Sequence, residues 1–89
     1  MNVLLIGSGG REHALVRSIR RSSNVKRVWC APGNAGISRD ADCPNLDVDD
    51  QAAVLAWVRR NKIDLTAEQP GATNKNEPVI RLSANVHWT

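Results

Sequence analysis

Three short apolar runs, separated by two stretches of helical period, set the outline of this chain. Val3-Leu4-Leu5-Ile6 is a continuous apolar run stopped by Gly7-Ser8-Gly9-Gly10, the pattern of a strand buried on both faces of a parallel sheet. From Arg11 to about Ser22 apolar residues recur at helical spacing, with Ala14, Leu15 and Ile19 as the expected buried stripe. Ser22-Ser23-Asn24 then supply an ending and a turn. Lys26 to Ala31 reads as a second strand, broken by Pro32-Gly33-Asn34-Ala35-Gly36, whose glycines and asparagine tolerate the positive φ of tight turns. Residues 37–48 read as largely irregular. Asp49 or Asp50 is a good N-cap for a second helix reaching about Asn61, with Val54, Leu55 and Val58 inward and Arg59, Arg60 and Lys62 at its C-terminal end. Ile63-Asp64-Leu65-Thr66 begins a third strand.

The order β-α-β-α-β with short links predicts an α/β fold, a doubly wound parallel sheet of three strands and two helices. The periodic pattern stops after the third strand. Glu68 to Glu77 contains Pro70, Gly71, Asn74, Lys75 and Asn76 and has no apolar period. The expected organisation is therefore one domain over residues 1–67, followed by an irregular, disordered or loosely packed tail over residues 68–89. Val79-Ile80-Arg81-Leu82 is a candidate stray strand, with no helix after it to cover it. Three strands alone leave sheet edges open, so low stability is expected.

Composition narrows the picture. A chain of 89 residues has room for one domain, and at that size folding buries only about 60–65% of the unfolded surface. With three Trp and no Phe or Tyr, the core has to come from Val, Leu, Ile and Ala, which suits helices packed on a sheet. The formal charge is +3, and six of the twelve basic residues, Arg11, Arg17, Arg20, Arg21, Lys26 and Arg27, fall between positions 11 and 27. That concentration is compatible with an anionic ligand or partner. Arg17, Arg20 and Arg21 also fit the solvated face of the first helix, and no aromatic residue interleaves with them, so nucleic acid is not the expected partner. Cys30 and Cys43 form no CxxC pair and have no histidine at metal-ligand spacing, so they read as free thiols in a reducing compartment and no metal site is expected. Met1 to Ile6 has no basic leader and its apolar run is too short for a signal or a membrane span, so the expectation is a soluble, cytoplasmic protein without a membrane partner.

The chemistry concentrates at the first strand-to-helix turn. A glycine loop there presents backbone N–H groups and the positive end of a helix dipole, so Gly7-Ser8-Gly9-Gly10-Arg11 is a candidate anion site, with Arg11 adding a fork of charge. The alternative is that the glycines only make a tight turn. A dinucleotide site would need a third glycine where Glu12 stands and a carboxylate at the end of the second strand, where the sequence is Trp29-Cys30-Ala31-Pro32. The phosphate loop of nucleotide hydrolases is absent as well, because no lysine follows the glycines. His13 invites a general-base role, but a polar residue near a helix start is better explained by hydrogen bonds that shape the loop, so His13 is assigned binding or loop-shaping only. Glu12, in the first helical turn, can complement the dipole or cap a loop N–H. No residue is assigned a catalytic role.

Gly7-Ser8-Gly9-Gly10-Arg11-Glu12-His13-Ala14-Leu15 resembles the opening motif of the phosphoribosylamine–glycine ligase family. Ala31-Pro32-Gly33-Asn34-Ala35-Gly36 resembles that family's second motif, and Asn61-Lys62-Ile63-Asp64-Leu65-Thr66 resembles the end of its second helix and the start of its next strand. The resemblance covers residues 1 to about 66. It implies a Rossmann-like (pre-ATP-grasp) N-terminal domain of an enzyme of purine biosynthesis. That enzyme joins glycine to 5-phosphoribosylamine with ATP and Mg2+, through glycyl phosphate. Carried over to this sequence, Gly7, Ser8, Gly9, Gly10, Arg11, Glu12 and His13 of the first loop, with Pro32, Gly33, Asn34 and Gly36 of the second, would line the phosphoribosylamine side of the cleft. The family's third strand runs on into Gly-Pro-Glu, whereas Thr66 is followed by Ala67-Glu68-Gln69-Pro70-Gly71. With no ATP-grasp region in the sequence, ATP and Mg2+ are not expected to bind this chain and catalysis by it alone is not expected. The competing reading is a free-standing phosphate- or nucleotide-binding module without catalysis.

Overall fold

The computed structural model describes residues 1–68 and the backbone of the strand Arg81–Ala84. Gln69, Pro70 and Gly71, and with them most of the expected tail, lie outside the described residues. In chain order the elements are β1 (Asn2–Gly7), α1 (Gly10–Arg20), β2 (Arg27–Pro32), a single 3-10 turn (Ile37–Arg39), α2 (Gln51–Arg60), β3 (Leu65–Glu68) and β4 (Arg81–Ala84). The sheet order is β2-β1-β3-β4. β1 pairs in parallel with β2 from Asn2↔Arg27 to Gly7↔Pro32, and with β3 from Val3↔Leu65 to Ile6↔Glu68. The expected Rossmann-like arrangement of three parallel strands and two helices is present.

Alternation along the strands separates two cores. Leu5, Val28, Cys30 and Ala67 face α1, which contributes Val16 with Leu15 and Ile19 at its margins. Leu4, Trp29, Ala31 and Ile63 pack with Val58, Val54 and Trp57 of α2 in the other cluster. The chain crosses to β2 on one side of β1 and to β3 on the other, so crossovers of one hand put the two helices on opposite faces of the sheet. Trp29 and Trp57 meet edge to face with ring centroids 5.6 Å apart, and the Arg27 guanidinium lies 4.5 Å from the Trp29 centroid.

Several local expectations shift. In α1 the buried stripe is Leu15, Val16 and Ile19, and Ala14 is exposed, because the helix starts at Gly10 and turns residue 16 onto the sheet. In α2 the inward residues are Val54, Trp57 and Val58, whereas Leu55 is 58% exposed. The N-cap is Asp50, whose side chain accepts from Ala53 N at 3.2 Å. Lys62 takes a left-handed φ of 53° just past α2, and Ile63 N donates to Val58 O at 3.1 Å, so Ile63 closes the helix before the third strand begins. β3 therefore runs Leu65–Glu68 rather than from Ile63, and β2 begins at Arg27 and extends to Pro32. Asp64 aligns the entry to β3: its carboxylate accepts from Asn2 N at 2.7 Å and its N–H donates to Asn2 O at 2.8 Å.

The stretch 37–48 is better ordered than its composition suggests. Ile37 is fully buried against the α1-side core, and Asp42 forms a parallel bridge to Trp29 on the outer edge of β2. On the far side of the sheet, β4 pairs antiparallel with β3, from Leu65↔Ala84 to Glu68↔Arg81. The tail expected to be irregular thus contributes one strand, two residues later than Val79, and both outer parallel strands carry a backbone partner. The burial pattern is testable by urea denaturation: Val58→Ala is expected to cost roughly 2 kcal/mol, and Leu55→Gln less than about 0.5 kcal/mol.

Candidate functional site

The fold brings both glycine loops named from sequence to one place. Gly7 ends β1 and Pro32 ends β2, and these are register partners, so the loops Gly7–His13 and Pro32–Gly36 leave the sheet side by side at its carboxyl edge. This is the edge at which open α/β sheets bind ligands, and β1 is the strand at which the order reverses.

The loops are locked together rather than merely adjacent. Gly33 N donates to Gly7 O at 3.0 Å, and the Asn34 side-chain amide donates to Ser8 O at 2.6 Å. The Asn34 side-chain oxygen accepts from Ile37 N at 2.8 Å, so one residue ties the first loop to the 3-10 turn. Gly33 has a left-handed φ of 67°, and a Cβ built on it would fall 2.4 Å from Cys43 Sγ and 3.0 Å from Cys30 O. Gly7 has φ 155°, and a Cβ there would lie 2.2 Å from Glu12 Cγ. Both positions need glycine for conformation and for space. Gly10 meets nothing within 4 Å, so its missing side chain leaves open room at the mouth of the loop.

The N-terminus of α1 divides that mouth by charge. His13 N is bonded to Gly9 O at 3.1 Å, whereas the amides of Gly10, Arg11 and Glu12 precede the first helical acceptor and have no intrahelical partner. Glu12 folds back so that its carboxylate accepts from Gly9 N at 3.0 Å, the capping role anticipated for it. Arg11 is exposed and has no ion pair among the described residues. An anion would therefore meet the Gly10–Arg11 side, with the Glu12 carboxylate repelling it from Gly9.

His13 is engaged by a carboxylate from the stretch after the second loop. Its Nε2 lies 2.7 Å from Asp40 Oδ2, and since a carboxylate only accepts, Nε2 carries the proton. Arg17 Nε and Arg20 NH1 also donate to Asp40, at 3.3 and 3.1 Å. The face of α1 expected to be merely solvated is thus partly engaged: Arg17 and Arg20 converge with His13 on one carboxylate. The hydrogen bond from His13, followed by that from Arg17, holds the Asp40 carboxyl below the usual aspartate range. Sequence reading missed Asp40, which lies 27 residues from His13 in a stretch with no periodic signal. A Cβ built on Gly36 would come 3.5 Å from His13 Cε1, so the His13 ring lies beside the second loop.

Beside the loops, Ile6, Val48, Gln51, Val54, Leu55, Thr66 and Glu68 line an open cavity of about 310 Å³ between the ends of β1 and β3 and the start of α2. Its walls are mainly apolar, with Glu68 at the rim. Neither cysteine joins a metal cluster, and no group of three or more His, Cys, Asp or Glu residues converges to hold a metal ion among the described residues. Both thiols are free; burial above all, then Cys43 and Glu12, pushes Cys30 up to about 12. No helix among the described residues is long and apolar enough to cross a membrane.

Residues 1–76 match the family described as Phosphoribosylglycinamide synthetase, N domain, past Thr66, where the motifs quoted above end. The chain is 50% identical over 70 residues to the phosphoribosylamine–glycine ligase of Mesorhizobium japonicum, covering 79% of this chain and 16% of that protein. It is 49% identical over 72 residues to the ligase of Agrobacterium fabrum and 44% over 70 residues to that of Caldanaerobacter subterraneus, in each case covering 17% of the relative. The chain thus spans about one sixth of the length of the curated relatives it matches.

Two outcomes test the geometry of this edge. Gly33→Ala is expected to destabilise the fold by about 1–3 kcal/mol, while Gly10→Ala, inside the helix start and facing open space, is neutral or stabilising by up to about 1 kcal/mol in the same denaturation assay. For Asp40, a folded-state pKa below the unfolded one gives stabilisation that is present above the unfolded value of about 3.9 and is lost as pH falls through the folded value. Unfolding midpoints measured from about pH 5 down to pH 2 are expected to drop more steeply for the parent chain than for Asp40→Asn.

Proposed function

The chain belongs to the phosphoribosylglycinamide synthetase N-domain family, and from that premise we propose that it forms the phosphoribosylamine-binding wall of an ATP-dependent ligase that joins glycine to 5-phosphoribosylamine in cytoplasmic purine biosynthesis. The observation that carries this reading is the locking of the two glycine loops at the carboxyl edge of β1 and β2, through Gly33 N to Gly7 O and Asn34 to Ser8 O.

In this reading each residue has a positioning task. The free amides at the start of α1, the open space at Gly10 and the Arg11 guanidinium receive the sugar phosphate. Glu12 keeps that anion off Gly9 and holds the loop closed on itself. Asn34 sets the height of the second loop against the first, and His13 with Asp40 holds Gly36 in place. A rigid wall of this kind lowers the barrier by orienting the amine, with no proton transfer asked of it. ATP would supply activation of the glycine carboxylate. The described residues hold neither a phosphate-loop lysine nor a converging set of carboxylates, so they do not fit ATP and Mg2+, and both are assigned to another part of the ligase.

The 89-residue polypeptide supplied with glycine, ATP and freshly made phosphoribosylamine is expected to give no turnover above a buffer blank; turnover would overturn the division of labour proposed here. Ribose 5-phosphate titrated against the same chain by NMR separates the wall from a free-standing module. One wall of a cleft is expected to bind weaker than about 1 mM, whereas micromolar affinity with shifts at Gly10 and Arg11 would favour the module.

A further inference from the structure

The bridge on the outer edge of β2 places the two cysteines side by side. Asp42 N donates to Val28 O at 3.4 Å and Cys30 N donates to Asp42 O at 2.9 Å, which makes Trp29 and Asp42 partners in a parallel pair. Cys30 and Cys43 are the residues that directly follow this pair on the two backbones. Because side chains alternate along paired strands, both leave the backbone toward the α1 side. They pack in the same apolar cluster, Cys30 fully buried and Cys43 partly so. Neighbouring sheet backbones lie about 4.8 Å apart, within the ~4.4–6.8 Å between Cα atoms that a disulfide spans. Gly33 reports on both cysteines: a Cβ built there would lie 2.4 Å from Cys43 Sγ and 3.0 Å from the Cys30 carbonyl oxygen. The Cys43 sulfur thus lies beneath the loop Pro32–Gly36, and both cysteines belong to one apolar cluster.

We propose that Cys30 and Cys43 are a redox modification site, closed into an intramolecular disulfide by exchange with a low-molecular-weight disulfide such as oxidised glutathione. Cys43, the more exposed thiol, reacts first. It gives its proton to solvent and attacks one glutathione sulfur, forming a mixed disulfide and expelling one glutathione thiolate. Cys30 then loses its proton, attacks the Cys43 sulfur and expels the second glutathione. Two protein thiols are oxidised and one glutathione disulfide is reduced to two thiols. Burial of Cys30, whose Sγ donates to Gly7 O at 3.4 Å, makes the second step the slow one. The ring encloses the Pro32–Gly36 loop, the 3-10 turn and Asp40, so oxidation tethers the part of the site that Asn34 otherwise holds by hydrogen bonds.

The test is incubation of the full chain with oxidised glutathione, followed by peptide mapping over time until the pattern no longer changes. The expected end point is a linked Cys30–Cys43 peptide pair in a monomer lighter by two hydrogens, reversed by dithiothreitol, with Tm raised by on the order of 10 °C. Cys43→Ser is expected to leave Cys30 unmodified, and Cys30→Ser to stop at the Cys43–glutathione adduct. A terminal adduct on Cys43 in the parent chain, a disulfide between two chains, or thiols that both remain free would each overturn the proposal.

Discussion

β1 is surrounded on all four sides, and the rest of the molecule is arranged by that confinement. Val3, Leu4 and Leu5 are almost wholly removed from water, β2 and β3 occupy the two edges of the strand, and the two apolar clusters take its alternate side chains. A strand in this position has to be apolar at every interior residue, and it has to change character abruptly where it leaves the sheet. Gly7 makes that change. Its backbone turns in a conformation that a side chain would obstruct, and its carbonyl receives both Gly33 N and the Cys30 thiol. The end of the core and the start of the candidate site are therefore the same residue.

The charge around the site is organised by a few carboxylates set among many cations. Asp40 gathers His13, Arg17 and Arg20, and Asp42 takes two bonds from Arg27, at 3.0 and 2.9 Å. These pairs are at least partly open to water, so their contribution to stability is modest, and their larger effect is on geometry. They draw the stretch after the second loop against α1 and β2. Arg11 is left outside this arrangement, in the first turn of α1, where a positive charge opposes the helix dipole.

Much of this was legible in the sequence because backbone requirements leave strong marks. The apolar run before Gly7, the helical period after it and the Pro-Gly-Asn turn after β2 each have few conformational solutions, and the three ordered motifs pointed to one family. What was not legible depended on partners distant in sequence. Leu55 and Trp57 are both apolar and only two residues apart, and only the position of Trp29 decides which of them turns inward. Asp40 lies in a stretch without period, and its role exists only once α1 is laid beside it. Ile63 looked like the first residue of a strand because apolar burial was its visible property, whereas the left-handed turn at Lys62 makes it the closing residue of a helix.

The short bridge between Trp29 and Asp42 also bears on how copies of this molecule behave toward one another. An exposed outer strand offers a row of amides and carbonyls on which another chain can template itself. Along β2 the Val28 carbonyl and the Cys30 amide are already spent on Asp42, and Arg27 sets a paired charge beside them. The segment that carries the candidate site's supporting carboxylate thus also acts as a guard rail against edge-to-edge aggregation, so changes that loosen Asp40 or Asp42 put colloidal stability at stake together with the shape of the loops.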